Sequence, residues 1–150
     1  MARPDDLEAL QLLIREHALF ERAAAPDGEL VRRLESLLFS PAPRLHAIVA
    51  EGDGGLAGYA TASLEVSTWQ ASEFLHLDCL YLRAGARGAG VGRRILDRVR
   101  VLACELGASE VQWQTPGWND DAVRFYEREG AVGRDKKRFT LDVTRDRARA

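Results

Sequence analysis

"RGAGVGRRILDRV", residues 87–99, is the stretch from which the rest of the chain is best read. Three glycines and an alanine crowd in behind Arg87, and an amphipathic run begins at once. Val91, Ile95, Leu96, Val99, Leu102, Ala103 and Leu106 recur at helical spacing, and Gly107 stops the run. A helix opening presents unpaired N–H groups and the positive end of a dipole, which suits an anion. Glycine lets such a ligand approach the backbone closely. The stretch has no GK[ST], which excludes a nucleotide-hydrolysing P-loop, and no GxGxxG, which argues against a dinucleotide fold. Taken alone, a glycine run like this is a tight strand-to-helix turn.

Working outward, the period changes on the N-terminal side. "LHAIVAEG" (45–52), "GGLAGYATASLEVS" (54–67) and "EFLHLDCLYL" (73–82) are expected to be strands, the first two joined by a tight turn at Gly52–Gly55. Before them, Leu7, Leu10, Leu13, Ile14 and Ala18 mark a helix capped by Asp5 or Asp6. "GELVRRLESLLF" (28–39) gives a second helix, ended by the breaker "SPAP". On the C-terminal side, "SEVQWQT" (109–115) predicts a strand and "NDDAVRFYERE" (119–129) a helix ended by Gly130. "KKRFTLDV" (136–143) predicts a last strand, and "TRDRARA" (144–150) a solvated tail. Helices first, antiparallel strands next, then strand–helix–strand–helix–strand: the pattern is that of a mixed α/β domain.

The chain has 150 residues, a length that predicts one domain with one hydrophobic core. A formal net charge of -2 argues against nucleic-acid binding, which calls for a basic surplus. No apolar run is long enough to span a bilayer, and "MARPDDLEAL" lacks a signal-peptide core, so a cytoplasmic location away from membranes is expected. Cys79 and Cys104 lie in patterned segments without a CxxC or Cys/His cluster, and are expected to be buried free thiols with no metal and no disulfide. Trp69, Trp113 and Trp118 are expected in the core or a pocket wall.

"RGAGVG" resembles the RxxGxG signature of the GNAT superfamily of acetyl-CoA-dependent N-acetyltransferases, and it follows a strand and opens a helix as that signature requires. Downstream, "WNDDAVRFYEREGA" (118–131) is similar to the second motif of the superfamily, N-x-x-A-x-x-F-Y-x-x-x-G-A. The resemblance implies the acyl-CoA N-acyltransferase fold, a central, mostly antiparallel twisted sheet with helices on both faces. It implies a pyrophosphate cradled by the N–H groups of Gly88, Ala89, Gly90, Val91 and Gly92, with Arg87 or Arg93 near it. It also implies a pantetheine arm pairing with the backbone of Leu80, Tyr81 and Leu82, and Asn119 and Ala122 close to the cofactor. Within the superfamily, "STWQASEFLHLDCLYL" (67–82) and the pair Phe20–Glu21 look most like the diamine (spermidine/spermine-type) acetyltransferases. That likeness implies a homodimer. It also sets Asp78 on the position of a catalytic glutamate and Cys79 on that of an acidic residue, while "MARP" is too short for the usual first strand.

An alkyl amine has a pKa of about 10.4, so holding it neutral at pH 7 costs about 4–5 kcal/mol. Attack on a thioester needs the free lone pair, and Asp78, working through water, is the candidate base by position; otherwise it is a hydrogen-bonding strand residue. The leaving thiolate needs a proton, and by the resemblance Tyr126 supplies it; without that role it is an amphipathic aromatic at the core edge. Phe20 and Glu21 would take the far end of a cationic acceptor together with Asp78. His76 shares the face of Asp78 by the period of two, as a pocket residue, a base or a structural histidine. Asn119 is expected to cap its helix, with Asp120 and Asp121 favouring the dipole. The acceptor is expected to be a small amine, diamine or polyamine. A protein or peptide amine, an antibiotic, or a non-catalytic acyl-CoA sensor remain open alternatives.

Overall fold

The computed structural model describes residues 1–143; the expected tail lies outside them, from Thr144 onward. Two compact units divide the chain, Met1–Pro116 and the segment from Gly117 onward.

The first unit holds a four-stranded sheet in the order β1 (His46–Gly52), β2 (Gly55–Ser67), β3 (Ser72–Leu82) and β4 (Val111–Gln112). The first three strands are antiparallel, and β4 runs parallel to β3. Gly55, at φ +107°, turns β1 into β2. Each of these three strands lies close to where its pattern puts it, and β2 is buried without a break from Gly58 to Ala62, where both faces of the sheet are covered. Only two residues of "SEVQWQT" join the sheet. Near residue 1, the Ala2 N–H donates to the Ala47 carbonyl on β1 at 2.8 Å, and a 3-10 turn over Pro4–Asp6 follows.

One face of the sheet is covered by α1 (Leu7–Phe20) and α2 (Leu30–Phe39). Their leucines Leu7, Leu10, Leu13, Leu34 and Leu38 form a core with Ala47, Leu56 and Tyr59. Asp6 stands at the start of α1, but its carboxylate accepts from the Arg3 N–H and not from the helix. On the other face lies α3 (Val91–Glu105), packed across β1, β2 and β3 with Ile95, Leu96, Val99, Leu102 and Ala103 buried. Gly107 ends it at φ +77°, with Ala108 N–H reaching back to Ala103 C=O.

The ladder between β2 and β3 slips once. Thr61 faces Cys79 and Ala62 faces Leu77, which leaves Asp78 opposite nothing. Asp78 is therefore the extra residue of a β-bulge. Before it, Leu75 and Leu77 point to the α3 face; after it, Cys79 and Tyr81 point to the α1 face, although all four are odd-numbered. Where the strands close up again Gly58 is obligatory, because a Cβ there would stand 2.7 Å from the Tyr81 carbonyl oxygen and collide with the Leu82 side chain.

The second unit is built on α4 (Asp120–Arg128). Asn119 caps it as expected, its Oδ1 accepting from the Ala122 N–H at 3.2 Å, with Asp120 and Asp121 in the first turn. Gly130 turns the chain out at φ +87°. The strand expected over "KKRFTLDV" does not form: residues 136–143 carry no ladder, and Phe139, Leu141 and Val143 are exposed. Alternation alone cannot make a strand without a partner edge, and among the described residues none pairs with it.

Two further expectations are corrected. Trp69 is 99% exposed at the tip between β2 and β3, and Trp118 is half exposed; only Trp113 lines a groove, with Leu96, Ala103 and Val111. Cys104 is exposed and not buried, because it sits on the outer side of α3; both thiols are free.

Candidate functional site

The end of α1, the middle of β2 and the bulge of β3 bring a set of polar and aromatic side chains to one place in the first unit. Phe20 and Glu21, expected to meet the acceptor, stand at the C-terminus of α1. Asp78 stands exposed on the bulge, with the Cys79 thiol 3.6 Å from its Oδ2. Between the two lie groups that sequence reading did not single out, His17 and Tyr59. His17 Nδ1 is 2.9 Å from the Tyr59 hydroxyl, and its Nε2 is 3.3 Å from Glu21 Oε1. Tyr81 stacks on the His17 ring at 5.1 Å.

The electrostatics follow from this packing. Burial drives the Tyr59 hydroxyl well above the usual phenol range, and the neighbouring Cys79, Asp78 and Glu21 add to the effect. Burial likewise pushes the Cys79 thiol up to about 11, reinforced by the Asp78 charge. A thiol in that setting is protonated at neutral pH and is no nucleophile. Tyr81 is also raised, first by desolvation and then by Glu16.

A signal for His17 does exist in the sequence. It falls on the stripe of Leu10 and Leu13, and a polar side chain on an apolar stripe needs a buried partner. Its partner, 42 residues away, is invisible to any local pattern.

Below the bulge, the edge of β3 is open. The parallel ladder to β4 pairs only Leu75 and His76, so residues 77–82 have no strand beside them on that side among the described residues. His76 itself is engaged across the sheet, Nδ1 2.7 Å from Glu65 Oε1. The glycine stretch follows. Gly88 and Gly90 take φ +80° and +74°, and Gly90 holds the N-cap of α3 without a side-chain cap. Arg94 N–H to Gly90 C=O is the first helical bond, so the N–H groups of Val91, Gly92 and Arg93 precede it. Nothing lies within 4 Å of a Cβ built on Gly88. The donors and the cleared backbone fit a phosphate.

Arg87, expected near that phosphate, turns toward α1: its Nε donates to the Leu82 carbonyl, and its guanidinium lies 4.9 Å from the centre of the Phe20 ring. In the second unit, Tyr126 is half-buried on α4 with its ring 5.2 Å from that of Phe125. Among the described residues no cluster of three or more His, Cys, Asp or Glu is placed to hold a metal, and no helix is long and apolar enough to cross a membrane.

Comparison with known proteins gives the following. The sequence profile described as the acetyltransferase (GNAT) family matches residues 10–131. Thialysine N-epsilon-acetyltransferase of Mus musculus is 30% identical over 138 residues, covering 87% of this chain and 81% of its own. D-amino-acid N-acetyltransferase of Saccharomyces cerevisiae is 28% identical over 127 residues, covering 83% and 78%. A crystal structure described as a probable acetyltransferase superposes with a TM-score of 0.78 over 95% of both chains at 21% identity, a likeness of fold.

Proposed function

The chain belongs to the acetyltransferase (GNAT) family and is a GNAT-type N-acetyltransferase, and from that premise we propose that it moves the acetyl group of acetyl-CoA to a primary amine of a small amine, diamine or polyamine. The observation that carries this reading is the continuity of one strand. The open edge of β3 runs from the Asp78 bulge through Leu80, Tyr81 and Leu82 into the uncapped opening of α3.

In this reading the backbone of residues 80–82 pairs with the pantetheine arm as an added strand would. The N–H groups from Gly88 to Gly92 hold the pyrophosphate, with Arg93 in the first turn of α3 beside it. Asn119 and Ala122 contribute from the opening of α4. Acetyl-CoA supplies the activated acyl group. The chain then has two tasks, to remove a proton from the acceptor ammonium and to protonate the departing thiolate. Asp78 does the first through water, since a carboxylate is a weak base at its ordinary pKa and needs help. Tyr126 does the second. Glu21 and Phe20 receive the cationic far end of the acceptor.

The named activities of the relatives, on thialysine and on D-amino acids, favour acceptors that are small and carry more than one charged group. The protein works as one domain, as a cytoplasmic homodimer. Release of CoA from acetyl-CoA across a panel of amines tests the reading. Turnover with a small diamine or basic amino acid is expected; a panel without turnover would overturn it.

A further inference from the structure

The end of α1 is fixed both by its backbone and by its side chains. Arg22 N–H returns to the Leu19 carbonyl and Ala23 N–H to the Ala18 carbonyl, the pair of bonds that closes a helix through a left-handed residue. That residue is Arg22, at φ +58°, where glycine is the ordinary choice. Glu21 is thereby held in the last helical turn, its N–H donating to the His17 carbonyl at 2.9 Å. The side chains repeat the link, with His17 Nε2 standing 3.3 Å from Glu21 Oε1.

The imidazole has no freedom to leave that place. Tyr81 stacks on its face at 5.1 Å between ring centres, and the Tyr59 ring meets it edge-on at 5.9 Å. Its Nδ1 is 2.9 Å from the hydroxyl of Tyr59, which is itself buried in the core under α1. With that hydroxyl donating to Nδ1, the ring hydrogen stands on Nε2, the nitrogen beside Glu21. The His17 side chain is 11% exposed, whereas that of Glu21 is 37% exposed. One is a fixed wall, and the other is open to a ligand.

We propose that His17 is a positioning residue for the acceptor: anchored by Tyr59, it holds the Glu21 carboxylate where the second cation of a diamine or basic amino acid is received. The assignment rests on the acetyl-transfer reading above, and gives the selection of a doubly charged acceptor to one buried ring. A glutamate at a helix end ordinarily samples several rotamers, and ordering it only when a ligand arrives weakens binding. With His17 beside it, that ordering is already complete in the folded chain. The Phe20 ring does not compete for the charge, because the Arg87 guanidinium lies 4.9 Å from its centre and repels a second cation. Charge recognition at the end of α1 then falls to Glu21, and its aim to His17.

The readout is the ratio of kcat/KM for a diamine to that for a monoamine of equal length, which a general loss of stability leaves alone. Glu21→Gln should lower the ratio about two- to fivefold, the size of a partly screened charge contact. His17→Leu should lower it by a similar factor. His17→Gln, whose amide can still stand beside Glu21, should recover part of that loss. Adding His17→Leu to Glu21→Gln should lower the ratio no further, since the ring acts through the carboxylate. Should His17→Leu fail to fold because it strands the Tyr59 hydroxyl, Tyr59→Phe frees the ring without orphaning that group, and should lower the ratio too. An unchanged ratio in folded His17→Leu or Tyr59→Phe, losses that multiply in the double variant, or a parent without preference for the diamine overturns the proposal and leaves acetyl transfer standing. A parent inert toward every amine overturns both.

Discussion

Arg83 grips Glu16 with two hydrogen bonds, Nε to Oε2 at 2.9 Å and Nη2 to Oε1 at 2.7 Å, while its Nη1 donates to the Leu56 carbonyl. One side chain thereby ties the end of β3 to the middle of α1, just behind the candidate site. The Arg83 hydrogen bonds hold the Glu16 carboxyl below the usual carboxylate range. A lowered folded-state pKa gives stability that is complete above the ordinary glutamate range and is lost as pH falls through the folded value. Both side chains are more than a third exposed, so solvent screens the pair to roughly 0.5–1 kcal/mol. Glu16→Gln should lower stability by that amount at pH 7 and by less at pH 3. Urea unfolding at the two pH values checks it, and an equal loss at both would show that the charge is irrelevant.

Gly90→Val should abolish binding of CoA. A β-branched residue is strained at φ +74°, and its side chain would occupy the mouth of α3. Calorimetry with CoA is the measurement, with circular dichroism to show that the variant still folds. Unchanged affinity in a folded variant would remove the glycine stretch from the cofactor site.

Tyr126→Phe keeps the ring beside Phe125 and deletes the acid. A fall in kcat of about 10²-fold is expected where proton transfer is limiting, with the thermal midpoint nearly unchanged. Equal kcat in variant and parent would exclude Tyr126 from the chemistry.

Glu21→Gln and Asp78→Asn should separate binding from chemistry. Glu21 is partly exposed, and a glutamine keeps an oxygen within reach of His17 Nε2, so KM for a diamine should rise several-fold with kcat largely kept. Asp78→Asn should lower kcat and shift the pH profile, because the proton acceptor is gone. Initial rates over a range of acceptor concentrations distinguish the two patterns. The reverse assignment, with kcat lost in Glu21→Gln and KM raised in Asp78→Asn, would exchange their roles.

Local pattern carried the reading a long way in this chain. Leu7, Leu10 and Leu13 announce α1, Gly107 its counterpart stop after α3, and Asn119 the cap of α4, because each signal is confined to one turn of backbone. What pattern missed depends on neighbours far away in sequence. Phe139 and Leu141 alternate like a strand but pair with no strand among the described residues, so the pattern has nothing to satisfy. Within the site, Phe20, Glu21 and Asp78 were legible from resemblance, whereas His17 and Tyr59 meet only because α1 crosses β2. Asp78 itself was legible as a residue but not as a bulge, since alternation says nothing about where a ladder slips.

That slip gives β3 two reading frames. Up to Leu77 the odd positions belong to the α3 side; from Cys79 onward they belong to the α1 side. Drawing Asp78 into the ladder opposite Thr61 would merge the frames, sending Cys79 and Tyr81 into the α3 core and turning Leu80 and Leu82 to the α1 side. Position 78 is thus a spacer as well as a functional group, and the two duties are separable. Its side chain can be exchanged at modest structural cost, whereas its place outside the ladder cannot be given up. Variation that aims to retune the acceptor should substitute along Asp78 and Cys79 and keep the slip in β3.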